Sequence, residues 1–302
     1  MYSVLVVAYK RPHLLKAIIE GIPKFVQEIY IHVDKSPESD DTNAEVIGIV
    51  QEFQILDSRV SVRIANSNLG PGRAIPTAVN WALKHCYSVL VLEDDCLPNA
   101  NAYDFFQRNH NLVLENYVIC GTSPYDFQEC KVIHAVNTSS TYALISGWMI
   151  GAATWNELNI EGALDLRYRH IVRKSMQNPR LLLPLSFFYA SIIRIRSGHV
   201  KAWDSMFCIS MIMNDIFSLI PNVTVIDNLG FDSVASNTRA LSDQVSNVYN
   251  KSSDFEPSQL LDLSGNAKRE TDFLISKRIY NMRLRNYLSP VKSFLRIHRG
   301  TH

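Results

Sequence analysis

An apolar run that ends in three consecutive acids constrains the fold of this chain more than any other feature. The run is Tyr87-Ser-Val-Leu-Val-Leu, and it stops at Glu93, Asp94 and Asp95. A strand buried on both faces has this pattern, and its end is where an α/β sheet places its ligand contacts. A divalent cation there would relieve the repulsion among the carboxylates. The pattern alone also allows an acidic turn, with Asp94 or Asp95 capping a helix that begins near Asn99.

Composition narrows the class of protein. The 302 residues, 47% hydrophobic and 20% charged, can bury a large core, and a net charge of +1 gives no indication of a nucleic-acid partner. Five scattered cysteines without a CxxC pair favour reduced thiols in a cytoplasmic protein and disfavour zinc. The N-terminal apolar run is too short for a signal peptide, and the longest apolar stretch, 181–193, is too short to span a bilayer. We therefore expect a cytoplasmic protein.

The first half of the sequence alternates short apolar runs with amphipathic segments. Strands and helices are predicted to alternate at 3–8, 12–21, 28–33, 44–53, 60–65, 74–85 and in the strand into Glu93. Right-handed crossovers make this order a mostly parallel, doubly wound sheet, whose ligand crevice lies at the carboxyl ends of the strands. The polar segments 9–12, Asp34, 66–73 and 93–95 all fall at those ends.

Five blocks of sequence carry a family resemblance. They are Val6-Val-Ala-Tyr-Lys-Arg-Pro12, Asn68-Leu-Gly-Pro-Gly-Arg-Ala74, Val91-Leu-Glu-Asp-Asp-Cys-Leu-Pro98, Ser146-Gly-Trp-Met-Ile-Gly-Ala-Ala-Thr-Trp155 and Lys201-Ala-Trp-Asp204. In this order they resemble the blocks of GT-A glycosyltransferases, particularly bacterial family 2 members and the N-acetylglucosaminyltransferase I group. The resemblance implies a GT-A (Rossmann-like) α/β fold, a mostly parallel twisted sheet flanked by helices. It also implies metal-dependent, inverting transfer of a sugar from a nucleotide-sugar donor, expected to be UDP-linked, to a glycan or lipid-linked glycan.

The same resemblance implies how the donor is bound. Asp95 would hold Mn²⁺ or Mg²⁺, which bridges the diphosphate, while Glu93 and Asp94 would contact the ribose and the donor sugar. In an extended chain Glu93 and Asp95 would face one way and Asp94 the other. Asp34 would accept hydrogen bonds from a uracil-type base or a ribose hydroxyl, or else is a turn acid. The remaining donor-binding residues expected are Ala8, Tyr9, Arg11, Asn68, Gly70 and Arg73.

Two of these loop residues have a physical argument of their own. Gly70 would let the backbone approach a ligand closely, and Arg73 would offset phosphate charge at the start of a helix. An ordinary loop with a surface arginine is the alternative. The glycine-rich block differs from both the GxGxxG and the Walker patterns, so neither dinucleotide nor ATP binding is indicated.

The acceptor side needs a general base, because a sugar hydroxyl is too weak an acid to attack unaided. The resemblance points to Asp204, which follows Trp203 in an apolar neighbourhood. Partial desolvation would raise the pKa of this carboxyl toward a useful value. Asp204 could also serve as the N-cap of the apolar helix that follows it. Gly147, Trp148 and Trp203 are expected near the sugars.

The sequence predicts three segments. Residues 1–235 form the catalytic domain, with 1–100 as its nucleotide-binding half and 101–235 as its acceptor half. Residues 236–268, rich in Ser, Asn and Asp, form a linker or lid, and 269–302 form a basic amphipathic tail. From Phe273 onward there are seven Lys or Arg and no acids. Such a tail can bind peripherally to an anionic membrane surface, or pack as a helix on the domain or on a partner subunit.

Two other classes of protein stay open at this point. A sugar-phosphate nucleotidyltransferase would share the sheet and an acid-bound metal. However, it usually has a glycine-rich basic loop after its first strand, where this sequence has Tyr9-Lys-Arg-Pro12. A non-catalytic nucleotide- or glycan-binding module would lack the metal acid or the base, and both are present here.

Overall fold

The computed structural model describes residues 2–37, 40–124, 136–198, 203–230, 257–258 and 260–282. Most of the predicted linker and the predicted tail beyond residue 282 lie outside these residues, and so does Lys201 of the last sequence block. Membrane docking of the tail therefore stays a prediction. Across the described ranges, none of the helices has the length and apolar character needed to cross a bilayer.

The strands of the described residues build one large sheet and one small one. They are β1 Ser3–Ala8, β2 Ile29–Val33, β3 Val60–Ile64, β4 Ser88–Glu93, β5 Cys96–Pro98, β6 Tyr117–Cys120, β7 Asn137–Ser140, β8 Trp148–Gly151, β9 Phe217–Ile220, β10 Ile226–Asn228 and β11 Leu261–Asp262. The nine-stranded sheet has the order β11-β7-β9-β6-β8-β4-β1-β2-β3, and β10 pairs antiparallel with β5. Strands β1 to β4 pair in parallel, whereas β8 runs antiparallel to both of its neighbours. The predicted mostly parallel α/β fold is confirmed.

Helices cover both faces of the sheet. They are α1 Pro12–Glu20, α2 Asp41–Leu56, α3 Pro71–Ala82, α4 Ala102–Asn109, α5 Ala152–Leu158, α6 Tyr168–Gln177, α7 Leu182–Arg196, α8 Asp204–Met213 and α9 Gly265–Leu274. Leu15 of α1 and Val46 of α2 belong to the core on one face, and Ile75 of α3 belongs to the core on the other. The first half is therefore doubly wound, as predicted.

Local sequence explains where these helices start. A proline at the first helical position, where no N–H is needed, begins both α1 and α3. The carboxylate of Asp40 caps α2 by accepting the N–H groups of Thr42 and Asn43. Helix α3 begins at Pro71 rather than at the predicted residue 74, which places Arg73 in its first turn.

The acidic triplet does not continue the strand. Strand β4 ends at Glu93, Asp94 and Asp95 form a turn, and the extended chain resumes at Cys96. The predicted alternation of side chains through the triplet is therefore wrong, and so is the capping alternative, because α4 begins only at Ala102. The physical reason is that Asp94 accepts backbone N–H groups from the loop after β1, which draws it out of the pleat.

The C-terminal part of the described chain packs on the main domain. Strand β11 extends the large sheet beside β7, and α9 follows at once. Thr271 of α9 is fully buried and its hydroxyl lies 2.8 Å from that of Thr138. The predicted segment boundary at residue 268 thus falls inside a helix. Residues 269–274 of the predicted tail belong to this helix, and what the tail binds beyond residue 282 stays a prediction.

Candidate active site

Asp94 organises the loop that follows β1. Its Oδ2 accepts the backbone N–H of Tyr9 at 2.8 Å and of Lys10 at 3.2 Å, while its Oδ1 accepts Arg11 Nη1 at 2.9 Å. The Asp94 side chain is buried. This acid therefore joins the carboxyl ends of β1 and β4, and its predicted contact with a ribose or a donor sugar stays a prediction.

Arg11 bridges two acids of the triplet. Its Nη1 lies 2.9 Å from Asp94 Oδ1 and 3.0 Å from Asp95 Oδ2, and its side chain is mostly buried. The guanidinium thus partly neutralises the carboxylates that a divalent cation would be expected to neutralise. A cation that binds Asp95 has to compete with Arg11 for the same oxygen.

The acids around Asp95 carry more negative charge than the nearby Arg11 can balance. Burial, together with the charges of Asp95 and Asp94, raises the pKa of Glu93 to about 8 against the opposing charge of Arg11. The charge of Asp204 also raises the pKa of Glu93. Burial likewise raises the pKa of Asp95, again against the influence of Arg11. The structure thus brings Asp204, far along the chain, into the same electrostatic neighbourhood as the triplet.

A segment with no sequence signal borders Asp95. The N–H of Leu229, just after β10, donates to the backbone oxygen of Asp95 at 2.8 Å. Asn228 donates to Ser146 Oγ at 2.9 Å and accepts the N–H of Gly230 at 2.8 Å. A Cβ on Gly230 would lie 2.1 Å from Asp95 Oδ2, so any larger residue there would displace this carboxylate. Sequence analysis missed these residues because β10 is three residues long and matches no motif.

Asp34 fixes the glycine-rich loop. Its Oδ1 accepts the N–H of Leu69 at 2.8 Å and of Lys35 at 3.0 Å, and its Oδ2 accepts the N–H of Gly70 at 2.9 Å. Gly70 has a φ of 68°, which suits glycine and strains other residues. Asn68 also braces the loop, by donating to the backbone oxygen of Lys35 at 2.7 Å. Contact of Asp34 with a base or ribose stays a prediction, because the structure shows a buried carboxylate engaged with backbone.

Asn43 is a second residue that sequence analysis missed. Its Nδ2 donates to the backbone oxygens of Tyr9 at 2.7 Å and of Asp34 at 3.0 Å, and its Oδ1 accepts the N–H of Ser36. One buried amide therefore holds the ends of β1 and β2 together. An asparagine in the first turn of a helix carries no pattern that would have marked it.

Asp204 starts helix α8. It is the first helical residue, preceded by Trp203 at the N-cap position, so the predicted N-cap role of Asp204 is wrong. Its Oδ1 accepts the N–H of Ser205 at 2.8 Å. Burial raises its pKa, whereas the N-terminus of a helix favours the charged form. A half-buried carboxylate with a raised pKa has the properties of a general base.

The tryptophans lie behind the site. Trp148 is 1% exposed, and its ring centroid lies 5.6 Å from Trp203, 6.1 Å from Trp155 and 5.0 Å from Phe207. Trp203 is 4% exposed. The expectation that Trp148 stacks on a sugar is corrected, because protein rings occupy its faces. These rings instead support the start of α8, where Asp204 lies.

Gly147 is explained by close packing. It has a φ of 71°, and a Cβ there would lie 2.6 Å from Ile226 Cγ1. Gly121, whose N–H donates to the Gly147 oxygen at 2.7 Å, is equally close to Ile226. Both glycines therefore let β10 cross next to β6 and β8. A contact of Gly147 with a sugar stays a prediction.

Asp95 fits a hard cation whose other ligands are supplied by a bound phosphate group and by water. Within the described ranges, no group of three or more His, Cys, Asp or Glu is arranged to hold a metal. Asp95 offers a carboxylate that is 18% exposed and faces the bare backbone of Gly230. One protein carboxylate plus phosphate oxygens and waters is a usual ligand set for Mg²⁺ with nucleotides. The residues present therefore fit a cation that binds together with a diphosphate.

Comparison with known proteins gives likeness of fold alone. No protein-family profile and no curated protein sequence matches the chain. Among solved structures, it resembles a mannosyltransferase from Pyrobaculum calidifontis in complex with GDP-Man and Mn²⁺, at 16% identity and a TM-score of 0.36 over 53% of this chain and 48% of that one. It also resembles the glycosyltransferase GlyE of Streptococcus pneumoniae, at 13% identity and a TM-score of 0.31 over 59% and 40%.

A third likeness is to 4-diphosphocytidyl-2C-methyl-D-erythritolsynthase of Anaerococcus prevotii, at 11% identity and a TM-score of 0.27 over 41% of this chain and 56% of that one. The aligned part thus spans about half the length of the mannosyltransferase and of this synthase. All three TM-scores lie below 0.5, so these likenesses carry no argument about the reaction.

Proposed function

We propose that this protein is a metal-dependent, inverting glycosyltransferase that moves a sugar from a nucleotide-sugar donor to a hydroxyl of a glycan or lipid-linked glycan. One observation carries the proposal: Asp204, which can take a proton, shares one electrostatic neighbourhood with the acids beside Asp95, which can hold a cation. A UDP-linked hexose or N-acetylhexosamine is the donor that we expect.

The donor side would bind the diphosphate through positive charge. Asp95 would hold Mn²⁺ or Mg²⁺, and the bound cation would act as a Lewis acid toward the leaving nucleoside diphosphate. Arg11 and the first turn of α3, with exposed Arg73 and the positive end of the helix dipole, add attraction for phosphate. Asp34 and Asn68 would keep the loop in place beside the nucleoside.

The acceptor side would supply the nucleophile. Asp204 accepts the proton of the acceptor hydroxyl while the hydroxyl oxygen forms a bond to the anomeric carbon of the donor sugar. The bond from that carbon to the diphosphate oxygen breaks in the same displacement, and the nucleoside diphosphate leaves with the electron pair. A single base and no covalent intermediate make inversion the expected outcome. The raised pKa of Asp204 favours this proton transfer.

The loop after β1 disfavours nucleotidyl transfer. The N–H groups of Tyr9 and Lys10 point at the Asp94 carboxylate, and Pro12, which has no N–H, begins α1. A nucleotidyltransferase would be expected to present such backbone groups to a triphosphate. In this chain they hold the loop to β4 instead.

A panel of nucleotide sugars tests the proposal. UDP-, GDP-, CMP- and dTDP-linked sugars would be added with Mn²⁺ or with a chelator, and the melting temperature recorded. A true donor at 100 times its dissociation constant should add about 2.7 kcal/mol of stability, and only with the metal. Release of pyrophosphate from a nucleoside triphosphate and a sugar 1-phosphate would instead make the protein a nucleotidyltransferase.

Asp95→Asn is the sharpest variant for the metal. It should lower metal-dependent nucleotide affinity by about 100-fold, near the upper end of what a lost hydrogen bond to a charged group costs. The fold should persist because Asp95 is in the turn after β4 and not in the apolar core. Asp104→Asn, an exposed acid of α4, serves as the matched control. Equal nucleotide affinity of the Asp95 variant and the wild type, with metal and with chelator, counts against this site.

A further inference from the structure

We propose that a cavity beside the end of α8 binds a single-chain amphiphile with a phosphate head group. The cavity has a volume of about 700 Å³ and lies between the connection from α6 to α7, the end of α8 and helix α9. We refer to it as the helix cavity. Volumes of roughly 300–1,000 Å³ are typical of sites for small-molecule ligands. This inference does not rest on the proposed glycosyl transfer.

The wall of the helix cavity is mostly apolar. Leu181, Leu183, Pro184 and Ile216 line it. Phe273 of α9 also lines it and is 58% exposed, although it is a large apolar residue. A ligand that covers this wall gains by removing apolar area from water, which an alkyl chain does and a sugar or a free nucleotide does not.

The acids that line the helix cavity are already neutralised. Asp272 accepts Lys268 Nζ at 2.6 Å and the Thr141 N–H at 2.8 Å. Asp215 accepts Lys174 Nζ at 2.6 Å. The negative charge of both carboxylates is therefore balanced by lysines within the protein.

Two further positively charged side chains line the helix cavity, and neither is paired with an acid among the residues that the structure describes. Arg180 and Arg269 are exposed residues that line it, and Arg269 donates a hydrogen bond to the neutral side chain of Asn266. Together with the paired acids, they give the cavity a net positive charge. Guanidinium groups bind phosphate through paired N–H donors, so a phosphate head group complements this end of the cavity.

The helix cavity and the crevice are separate sites on one helix. Asp204 begins α8, and Ile212, which lines the helix cavity, lies two turns later, roughly 12 Å along the helix axis. Neither Asp204 nor the acidic triplet lines the helix cavity. Binding at the two sites can be measured independently.

The test uses dodecyl phosphate as the probe, with the full chain and calorimetric titration below the micelle concentration. Arg180→Gln and Arg269→Gln should each weaken binding about tenfold, and the double variant should weaken it further. Phe273→Ser should also weaken binding about tenfold, and it is safe for folding because the residue is exposed. Arg173→Gln, an exposed arginine of α6 that does not line the cavity, is the matched control and should bind like the wild type.

Three other ligands test whether the phosphate head group and the alkyl chain both contribute to the affinity. Octyl phosphate should bind more weakly than dodecyl phosphate, and both dodecyl maltoside and inorganic phosphate should bind at least about tenfold more weakly. Equal binding of dodecyl maltoside would overturn the proposal, because apolar contact alone would then explain it. Equal binding of inorganic phosphate, or wild-type affinity in the arginine double variant, would overturn it as well. Nucleotide-dependent stabilisation in the same variants reports on the crevice, so failure at one site is distinguishable from failure at the other.

Discussion

The two halves of the sheet hold their acids in different ways. In the parallel half, Asp34 and Asp94 are fixed by backbone N–H groups that the loops after β1 and β2 and before α3 present to them. In the mixed half, Asp204 stands at the head of α8, whose own Phe207 packs on Trp148. The acids of the parallel half are thus held by backbone hydrogen bonds, and Asp204 of the mixed half by the packing of large rings.

This difference predicts different sensitivities. Backbone hydrogen bonds persist when a neighbouring side chain is changed, because the donors belong to the main chain. A helix start held by ring packing shifts when a ring is removed, because interiors are close-packed and relax only in part. Variants in the parallel half should therefore alter ligand affinity, whereas variants in the mixed half should alter turnover and stability.

The largest effect is expected for Asp204→Asn. This change keeps the shape of the side chain but removes its ability to take a proton, so turnover should fall by about 10²–10⁴. Nucleotide affinity should be unchanged, because the proposed donor site is in the parallel half. Initial rates and nucleotide titrations measure the two quantities, and Asp165→Asn, an exposed acid, is the control. Near-normal turnover, or a product with retained anomeric configuration, would reject this assignment.

Trp148→Ala should have the next largest effect. Removing a ring that is 1% exposed should lower the free energy of unfolding by about 3–5 kcal/mol. Below the melting temperature, the variant should bind the nucleotide normally but turn over slowly, since Asp204 loses its support. Trp81→Ala, a partly buried ring on α3 in the parallel half, should cost less. Denaturant unfolding measures both, and a larger loss in the Trp81 variant would contradict the contrast between the halves.

The parallel half was also the easier one to predict from sequence. Strands β1, β2 and β4 are buried on both faces and are therefore written as continuous apolar runs, and their carboxyl ends locate Asp34 and the triplet. The proline starts of α1 and α3 are likewise local signals. Each of these features depends only on residues close together in the chain.

The remaining features depend on contacts between distant parts of the chain. Asp94 leaves the strand because amides 84 and 85 residues earlier bind it. Gly230 is glycine because Asp95 occupies the space of its Cβ, and Trp148 is buried because β8 inserts antiparallel between β4 and β6. No local pattern encodes such pairings, so sequence analysis missed Asn43 and Asn228 and expected Trp148 to contact a sugar.

A pH effect is expected in the parallel half. His32 of β2 is fully buried, and neither ring nitrogen has a hydrogen-bond partner among the residues described. Burial, helped by Arg63, lowers the pKa of His32 from 6.5 to about 4. A lowered pKa means that the fold favours the neutral ring. The contribution to stability is therefore complete above pH 6.5 and is lost as the pH falls through about 4.

His32→Leu should flatten this part of the pH dependence. The wild type should lose up to about 3 kcal/mol from this group between pH 7 and pH 4, and the variant should lose none of that share. Urea unfolding at several pH values gives the slope, and His13→Leu, an exposed site on α1, is the control. A slope in the His32 variant equal to that of the wild type would show that other groups set the acid sensitivity.

The smallest effect, and the finest test of the contrast between the halves, is expected for Arg11→Gln. Arg11 competes with a cation for Asp95, so Mn²⁺ alone should bind the variant about tenfold more tightly. In the wild type, a diphosphate can draw the guanidinium from Asp95, so nucleotide and metal should favour each other's binding. The variant should bind the nucleoside diphosphate more weakly. The factor by which metal and nucleotide raise each other's affinity should also be smaller in the variant, and it should be the same whichever ligand is added first. Calorimetric titrations of Mn²⁺ with and without nucleotide measure this factor, with Arg108→Gln as an exposed control.

Because the N–H groups of Tyr9 and Lys10 still hold Asp94, the melting temperature of the Arg11 variant should change little. A large loss of stability, with Mn²⁺ affinity unchanged, would mean that side chains rather than backbone hold this half of the site.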